Sequence, residues 1–166
     1  MTASTQLPET DAAAGATLKL DAYLPYRLSV ASNAVSGLIA RAYEDRFGLT
    51  VPQWRLICVL AEDGPLTQVA IVARTGMDKV TISRAAQGLA KRHLVGRSDH
   101  HADGRSHMLA LTGEGGRLYA EIAPLALAYE AALIAGLAPT EVALLKRLLA
   151  RLQTAAHALA GEPAPR

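Results

Sequence analysis

The strongest constraint in this chain is a change of hydrophobic period and back again. Before residue 90, apolar residues recur at three- and four-residue steps: Leu24, Leu28, Ala31, Val35, Leu38 and Ala42, then Leu56, Ile57 and Leu60, then Ile82, Ala85, Ala86 and Leu89. That spacing lines one face of a helix. Leu109 and Leu111 instead alternate with Met108 and Ala110, the pattern of a half-buried strand. Helical spacing then returns with Leu118, Ile122, Leu125, Tyr129 and Leu133, and again with Leu145, Leu148, Leu149 and Leu152. The chain must therefore place one small β element inside a helical framework.

Stop and start residues divide the pattern into six helices. Pro25 belongs in the first turn of the first, because it disfavours a helical Leu24. Gly48 stops that helix, while Thr50 and Gln53 have capping-box spacing with Pro52 tolerated in the first turn. "EDGP" ends the second, and Thr67 caps a short third, "QVAIVAR", which stops at "TG". Asp78 caps the fourth, with Met77 and Ile82 spaced as a hydrophobic staple across it. The runs "LVGR" and "HMLALT" are expected to pair as a hairpin. Thr112 then caps a long fifth helix that Pro124 is expected to kink, and Thr140 a sixth.

Composition agrees with a mostly α protein. The 166 residues are 51% hydrophobic but only 4% aromatic, with Ala and Leu, the best helix formers, dominant. No run reaches the roughly 18 apolar residues of a membrane span, and the N-terminus has no signal-peptide pattern. With a single cysteine, Cys58, and so no internal disulfide, a cytoplasmic location without membrane association is expected. Residues 1–17 and 161–166 are small, polar and proline-bearing, and read as disordered tails. Residues 48–112 form one lobe, and 18–47 with 113–160 a long-helical region around it.

Charge is unevenly distributed. The net charge is +2, yet the stretch from Lys79 to Arg105 carries six bases (Lys79, Arg84, Lys91, Arg92, Arg97, Arg105) against two acids (Asp99, Asp103). Localised basic charge is the footprint of phosphate binding. On the fourth helix, Val80, Thr81, Arg84, Gln87 and Lys91 share the side opposite the apolar one. A guanidinium, an amide and a hydroxyl can hydrogen-bond base edges in a major groove, and Val80 can meet a thymine methyl. Two short helices, a helix with such a face and a hairpin, in that order, make a winged helix-turn-helix. The long striped helices exceed what this lobe can cover, and a two-fold homodimer buries them most simply.

The loop in "RSDHHADGRSHMLALT" also admits other chemistry. Asp99, His100, His101, Asp103 and His107 include metal ligands, but adjacent histidines diverge and no two histidines have the helical i, i+4 spacing of known zinc motifs. No metal site or cofactor is therefore assigned, and the histidines are read as phosphate contacts that become more cationic at lower pH. No nucleophile elbow, phosphate-binding loop or supported Cys/His pair is present, so no catalytic residue is assigned. Cys58 lies mid-helix in "RLICVL" without an evident cationic neighbour, and reads as structural rather than redox-sensing.

With these elements in place, the chain from about Leu20 to Leu159 resembles the MarR family of bacterial transcription regulators. "LTVPQWRLICVL", "DKVTISRAAQGLAKRHLV", Arg97, "DGR" and "LTGEG" carry the resemblance. It implies a homodimer that binds a pseudo-palindromic operator on double-stranded DNA, usually as a repressor, and is released by a small molecule. The DNA contacts it implies are Lys79, Val80, Thr81, Ser83, Arg84, Gln87, Lys91 and Arg97, with Arg105 at the wing tip and Asp103 orienting the wing. His93 stands where family members often have glycine.

In this family the ligand sits between the dimerisation helices and the DNA-binding lobe, which here points to Tyr23, Tyr26, Arg27, Asn33, Trp54 and Arg55. An arginine beside tyrosines suits an aromatic carboxylate or an aromatic acyl thioester; the same residues also suit core and interface anchors. A metal- or redox-responsive regulator, or a winged-helix interaction module that binds no DNA, are the alternative readings of the same fold.

Overall fold

The computed structural model describes residues 17–99 and 107–161. After a 3-10 turn at Leu20–Ala22, the order is α1 (Leu24–Phe47), α2 (Val51–Asp63), β1 (Leu66–Thr67), α3 (Gln68–Thr75), α4 (Lys79–Lys91), β2 (Val95–Asp99), β3 (His107–Leu111), α5 (Gly113–Ile134) and α6 (Pro139–Ala160). The mostly helical winged helix-turn-helix expected from the hydrophobic periods is present. The helices divide between two compact units: Val35–Ala132, and the described residues up to Ala34 together with those from Leu133 on. The boundaries fall inside α1 and α5, so each long helix contributes to both units.

Local chemistry accounts for most helix starts. The Thr50 hydroxyl accepts from the Gln53 N–H at 3.4 Å while the Gln53 side chain accepts from the Thr50 N–H at 3.0 Å. Thr67 accepts from the Ala70 N–H at 3.2 Å. Each bond satisfies an amide that the first helical turn leaves without a partner. At α6 the expectation is corrected. Thr140 lies inside the helix, and the Glu141 carboxylate reaches back instead to accept from the Ala138 N–H at 2.7 Å. Pro139 takes the first helical position, where its missing N–H costs nothing. Pro124 lies inside α5, which continues as one helix past it.

The sheet holds a strand beyond the expected hairpin. Its order is β1-β3-β2, antiparallel throughout, so β3 is the central strand. Leu109 pairs with Leu66 on one side and Arg97 on the other. Two residues of β1 are too few to show alternation, and only the pairing defines it as a strand.

The core of the Val35–Ala132 unit is one cluster. Leu56, Ile57 and Leu60 of α2, Ile71 of α3, Ile82, Ala85, Ala86 and Leu89 of α4, and Leu109 of β3 are buried there with Tyr43, Trp54 and Ile122. Among the described residues, no single helix is long and apolar enough to cross a membrane.

Helix α4 joins the sheet through a sharp turn. His93 has φ 57°, the only positive value among the described non-glycine residues. Its carbonyl accepts from the Thr112 hydroxyl at 2.6 Å, and the Leu94 carbonyl accepts from the Thr112 N–H at 3.1 Å. Thr112 Oγ1 in turn accepts from the Gly115 N–H at 3.0 Å, capping α5. Gly115 lies so near Leu94 that a Cβ would fall within its carbonyl, whereas one on Gly116 would meet nothing within 4 Å. Gly115→Ala should therefore destabilise by about 3 kcal/mol, as overpacking against backbone does. Gly116→Ala should instead stabilise by up to about 1 kcal/mol through helix propensity. Urea unfolding of both variants checks this pair of signs.

Candidate nucleic-acid interface

The turn between α3 and α4 is built from consecutive caps. Gly76 takes the left-handed conformation at φ 66°, and its N–H donates to the Val72 carbonyl at 2.9 Å, closing α3. The Thr75 hydroxyl donates to the Ile71 carbonyl at 2.7 Å and accepts from the Met77 N–H at 3.2 Å. Met77 and Ile82, spaced as a staple across the cap, are both buried in the same core cluster. Asp78 accepts from the Thr81 N–H at 2.8 Å and from the Thr81 hydroxyl at 2.6 Å. These two bonds hold the Asp78 carboxyl below the usual carboxylate range. Arg74 braces the opposite side, pairing with Glu62 at 3.1 Å and Asp63 at 3.0 Å, both at the end of α2.

Helix α4 has two sharply different faces. Ile82, Ala85, Ala86 and Leu89 are buried against the core. Lys79, Val80, Arg84, Gln87 and Lys91 are exposed, Val80 by 58%. Thr81 and Ser83 are half-buried at the border. The Thr81 proton is spent on Asp78, which leaves its hydroxyl oxygen as an acceptor. Gln87 Nε2 donates to Ser83 Oγ at 3.4 Å. Among the described residues, no carboxylate pairs with Lys79, Arg84 or Lys91, so three cations and an amide stand on one exposed helical surface. Arg97 is also exposed, on β2. Such a set can contact phosphates and base edges together.

The MarR family model matches residues 47–106. A probable transcriptional regulator from Pseudomonas aeruginosa is 32% identical, with 81% of this chain and 99% of that one covered and a TM-score of 0.72. The chain belongs to the MarR family. NadR, solved with 4-hydroxyphenylacetate, is 30% identical over 82% of this chain and 96% of that one, TM-score 0.70. BpsR of Bordetella bronchiseptica, whose DNA binding is regulated by 6-hydroxynicotinic acid, is 25% identical over 82% and 97%, TM-score 0.76. No curated protein sequence matches the chain.

The remaining expected residues of this MarR-family chain fall in three places. Asp103 and Arg105 lie outside the described residues, as do His100 and His101. Tyr23, Tyr26, Arg27 and Asn33 are exposed and belong to the unit that holds the start of α1. Trp54 and Arg55 belong to the other unit, where Arg55 is exposed but Trp54 is only 8% accessible. Trp54 lies 5.2 Å from the Tyr43 ring and stacks on Tyr119 at 6.0 Å, centroid to centroid. It is thus a core anchor joining α1, α2 and α5. Tyr43 and Tyr119 were not singled out from the sequence, where only a four-residue step from Ile39 and one from Gly115 mark them.

Cys58 is half-buried, and burial first, then the nearby Glu62, push its thiol up to about 12. A thiol that stays protonated at neutral pH makes a poor peroxide sensor. Among the described residues, no group of three His, Cys, Asp or Glu side chains could hold a metal ion.

The cap at Asp78 has a pH signature. A carboxyl whose folded pKa is lowered contributes stability that is complete above its unfolded value near 4 and is lost as pH falls through the folded value. Asp78→Ala should therefore lower Tm at neutral pH, and the gap to wild type should narrow as pH drops below about 4. Thermal melts from pH 7 to pH 2 test it; a gap that stays constant would remove the ionised carboxylate from the cap's contribution.

Proposed function

We propose that the chain is a ligand-responsive repressor that binds a pseudo-palindromic operator as a homodimer. The observation that carries this is α4, whose apolar face is buried while its cationic and amide side chains stand exposed without acidic partners among the described residues. In this reading α4 enters the major groove. Arg84 and Gln87 read base edges, Val80 contacts a thymine methyl, and Lys79, Ser83, Lys91 and Arg97 hold phosphates. Arg105 supplies the wing contact, positioned by Asp103.

The homodimer is supported by α6, which has no buried residue in a single chain although Leu144, Leu145, Leu148, Leu149 and Leu152 line it. A second copy related by a two-fold axis would cover them, and two recognition helices would then face two half-sites. The effector in this reading is a small aromatic acid or an aromatic acyl thioester, and two relatives support the acid: NadR, solved with 4-hydroxyphenylacetate, and BpsR, regulated by 6-hydroxynicotinic acid. Tyr23, Tyr26 and Arg27 offer the rings and the guanidinium such a ligand needs, and Asn33 of the same unit a further polar contact.

A duplex enriched by the wild-type protein from a random library supplies the probe. Against it Arg84→Ala should lose about 1–3 kcal/mol of discrimination over scrambled DNA. Arg105→Ala should weaken both duplexes alike and make the salt dependence shallower by about one unit of slope. Gel-shift titrations at several salt concentrations measure both, and unchanged affinity in both variants would sink the assigned reading surface. Adding benzoate, hydroxyphenylacetate and hydroxynicotinate to the same complex tests the effector. Release is expected with at least one acid and at higher concentration for Arg27→Ala, and no release by any of them would overturn the aromatic-acid clause.

A further inference from the structure

Arg92 counts among the six bases of the Lys79–Arg105 stretch, but the structure gives it another task. The residue follows the last turn of α4 and lies seven positions beyond Ala85 and four beyond Gly88. At about 100° per residue this brings it in line with Ala85 and Gly88 and away from Arg84, Gln87 and Lys91, although the residue itself is exposed. Its guanidinium donates from Nη1 to the Gly48 carbonyl at 2.8 Å and from Nη2 to the Phe47 carbonyl at 2.9 Å. These are carbonyls at the C-terminal end of α1, where the helix leaves its last acceptors without intrahelical donors. The Gly48 backbone is held there at φ 60°, its N–H bonded to the Glu44 carbonyl at 2.9 Å.

A second attachment lies one turn earlier. Gly88 packs on Gln53, whose Nε2 would be 2.5 Å from a Cβ at that position, and Gln53 itself is fixed by the capping box at the start of α2. Helix α4 is thus held along its length by the buried core residues, then by Gln53, then by an exposed two-pronged guanidinium on the α1 terminus. The final contact is polar, 44 and 45 residues distant in sequence, and sits where the helix would otherwise fray.

We propose that Arg92 is a positioning residue for DNA recognition rather than a phosphate contact, fixing the angle of α4 by clamping the end of α1. The proposal rests on the DNA-binding reading above. A clamp and a phosphate contact differ in what their loss does. Removing a cation that neutralises phosphate weakens all DNA and reduces the number of counterions released. Removing a clamp lets the reading helix swing, which costs sequence discrimination and leaves the salt dependence as it was. Lysine carries the same charge but lacks the planar fork that reaches two carbonyls at once.

The test uses the full-length protein, the library-enriched duplex and a scrambled duplex over a salt series, with Lys91→Ala as the comparison on the outer face. Arg92→Ala should weaken enriched-duplex binding roughly tenfold, the scale of losing charge-assisted hydrogen bonds, with scrambled-duplex affinity and salt slope unchanged. Arg92→Lys should fall between, despite its full charge. Lys91→Ala should weaken both duplexes and reduce the slope. Equal loss on both duplexes with a shallower slope for Arg92→Ala would make it a phosphate contact and overturn the proposal; so would unchanged affinity on both. Far-UV circular dichroism and Trp54 fluorescence report folding, and if Arg92→Ala does not fold, the enriched-to-scrambled ratio of Arg92→Lys decides by the same criteria. A wild-type protein that enriches no duplex would overturn the DNA-binding reading itself, and the clamp's role with it.

Discussion

The carbonyls of His93 and Leu94 are where α4, the small sheet and α5 are tied to one another. One side chain, Thr112, serves both strands of the knot: its hydroxyl donates to His93 and accepts from Gly115, while its backbone N–H donates to Leu94. The close approach of Gly115 to the Leu94 carbonyl requires a residue without a Cβ. A left-handed His93 is the conformation that brings both carbonyls round to meet Thr112. A β-carbon is tolerated there at some cost, since left-handed backbone is strained for any residue but glycine. The strain is opposed by the hydrogen bonds that the turn makes possible.

From that knot backward, α4 is held by two different kinds of force. Its buried residues contribute hydrophobic burial, which is strong but indifferent to small rotations about the helix axis. Polar contacts act at its two ends. At the N-terminus Asp78 binds Thr81 twice, which fixes where α4 starts, and at the C-terminus Arg92 binds the end of α1 twice, which ties α4 to another helix. A helix presenting side chains to another molecule needs this division, because orientation must be set without using the groups on the exposed face.

What could be read from the sequence follows the range over which each cause acts. Caps at Thr50, Thr67 and Asp78 depend on residues three positions away, and all three appear as expected. So does the hairpin, because alternation is local. The sixth helix shows the limit of that reasoning. Thr140 has the right chemistry for a cap, yet Pro139 starts the helix earlier and Glu141 supplies the acceptor. Features that depend on distant partners were not legible. β1 exists only because Leu66 meets Leu109, and the Tyr43–Trp54–Tyr119 stack joins three helices whose relation no local spacing encodes. Arg92 shows the difference most directly: composition counts it among six bases, and only the fold brings its guanidinium to the carbonyls of Phe47 and Gly48.

That reassignment changes how the electrostatics of the surface are understood. With Arg92 committed to backbone carbonyls, the described cations facing outward on α4 and β2 are Lys79, Arg84, Lys91 and Arg97. Because their neighbours Ile82, Ala85, Ala86 and Leu89 carry the packing, these outer positions are nearly free of structural duty. A substitution at the exposed Val80, Arg84 or Gln87 alters the outer surface of α4 while leaving the buried core residues and the caps intact. The same helix can therefore change the chemistry of its outer surface without renegotiating its fold. Changes at Gly88 or Gly115 instead meet Gln53 or the Leu94 carbonyl, and a change at Arg92 releases the carbonyls of Phe47 and Gly48, so the fold responds before the outer surface does.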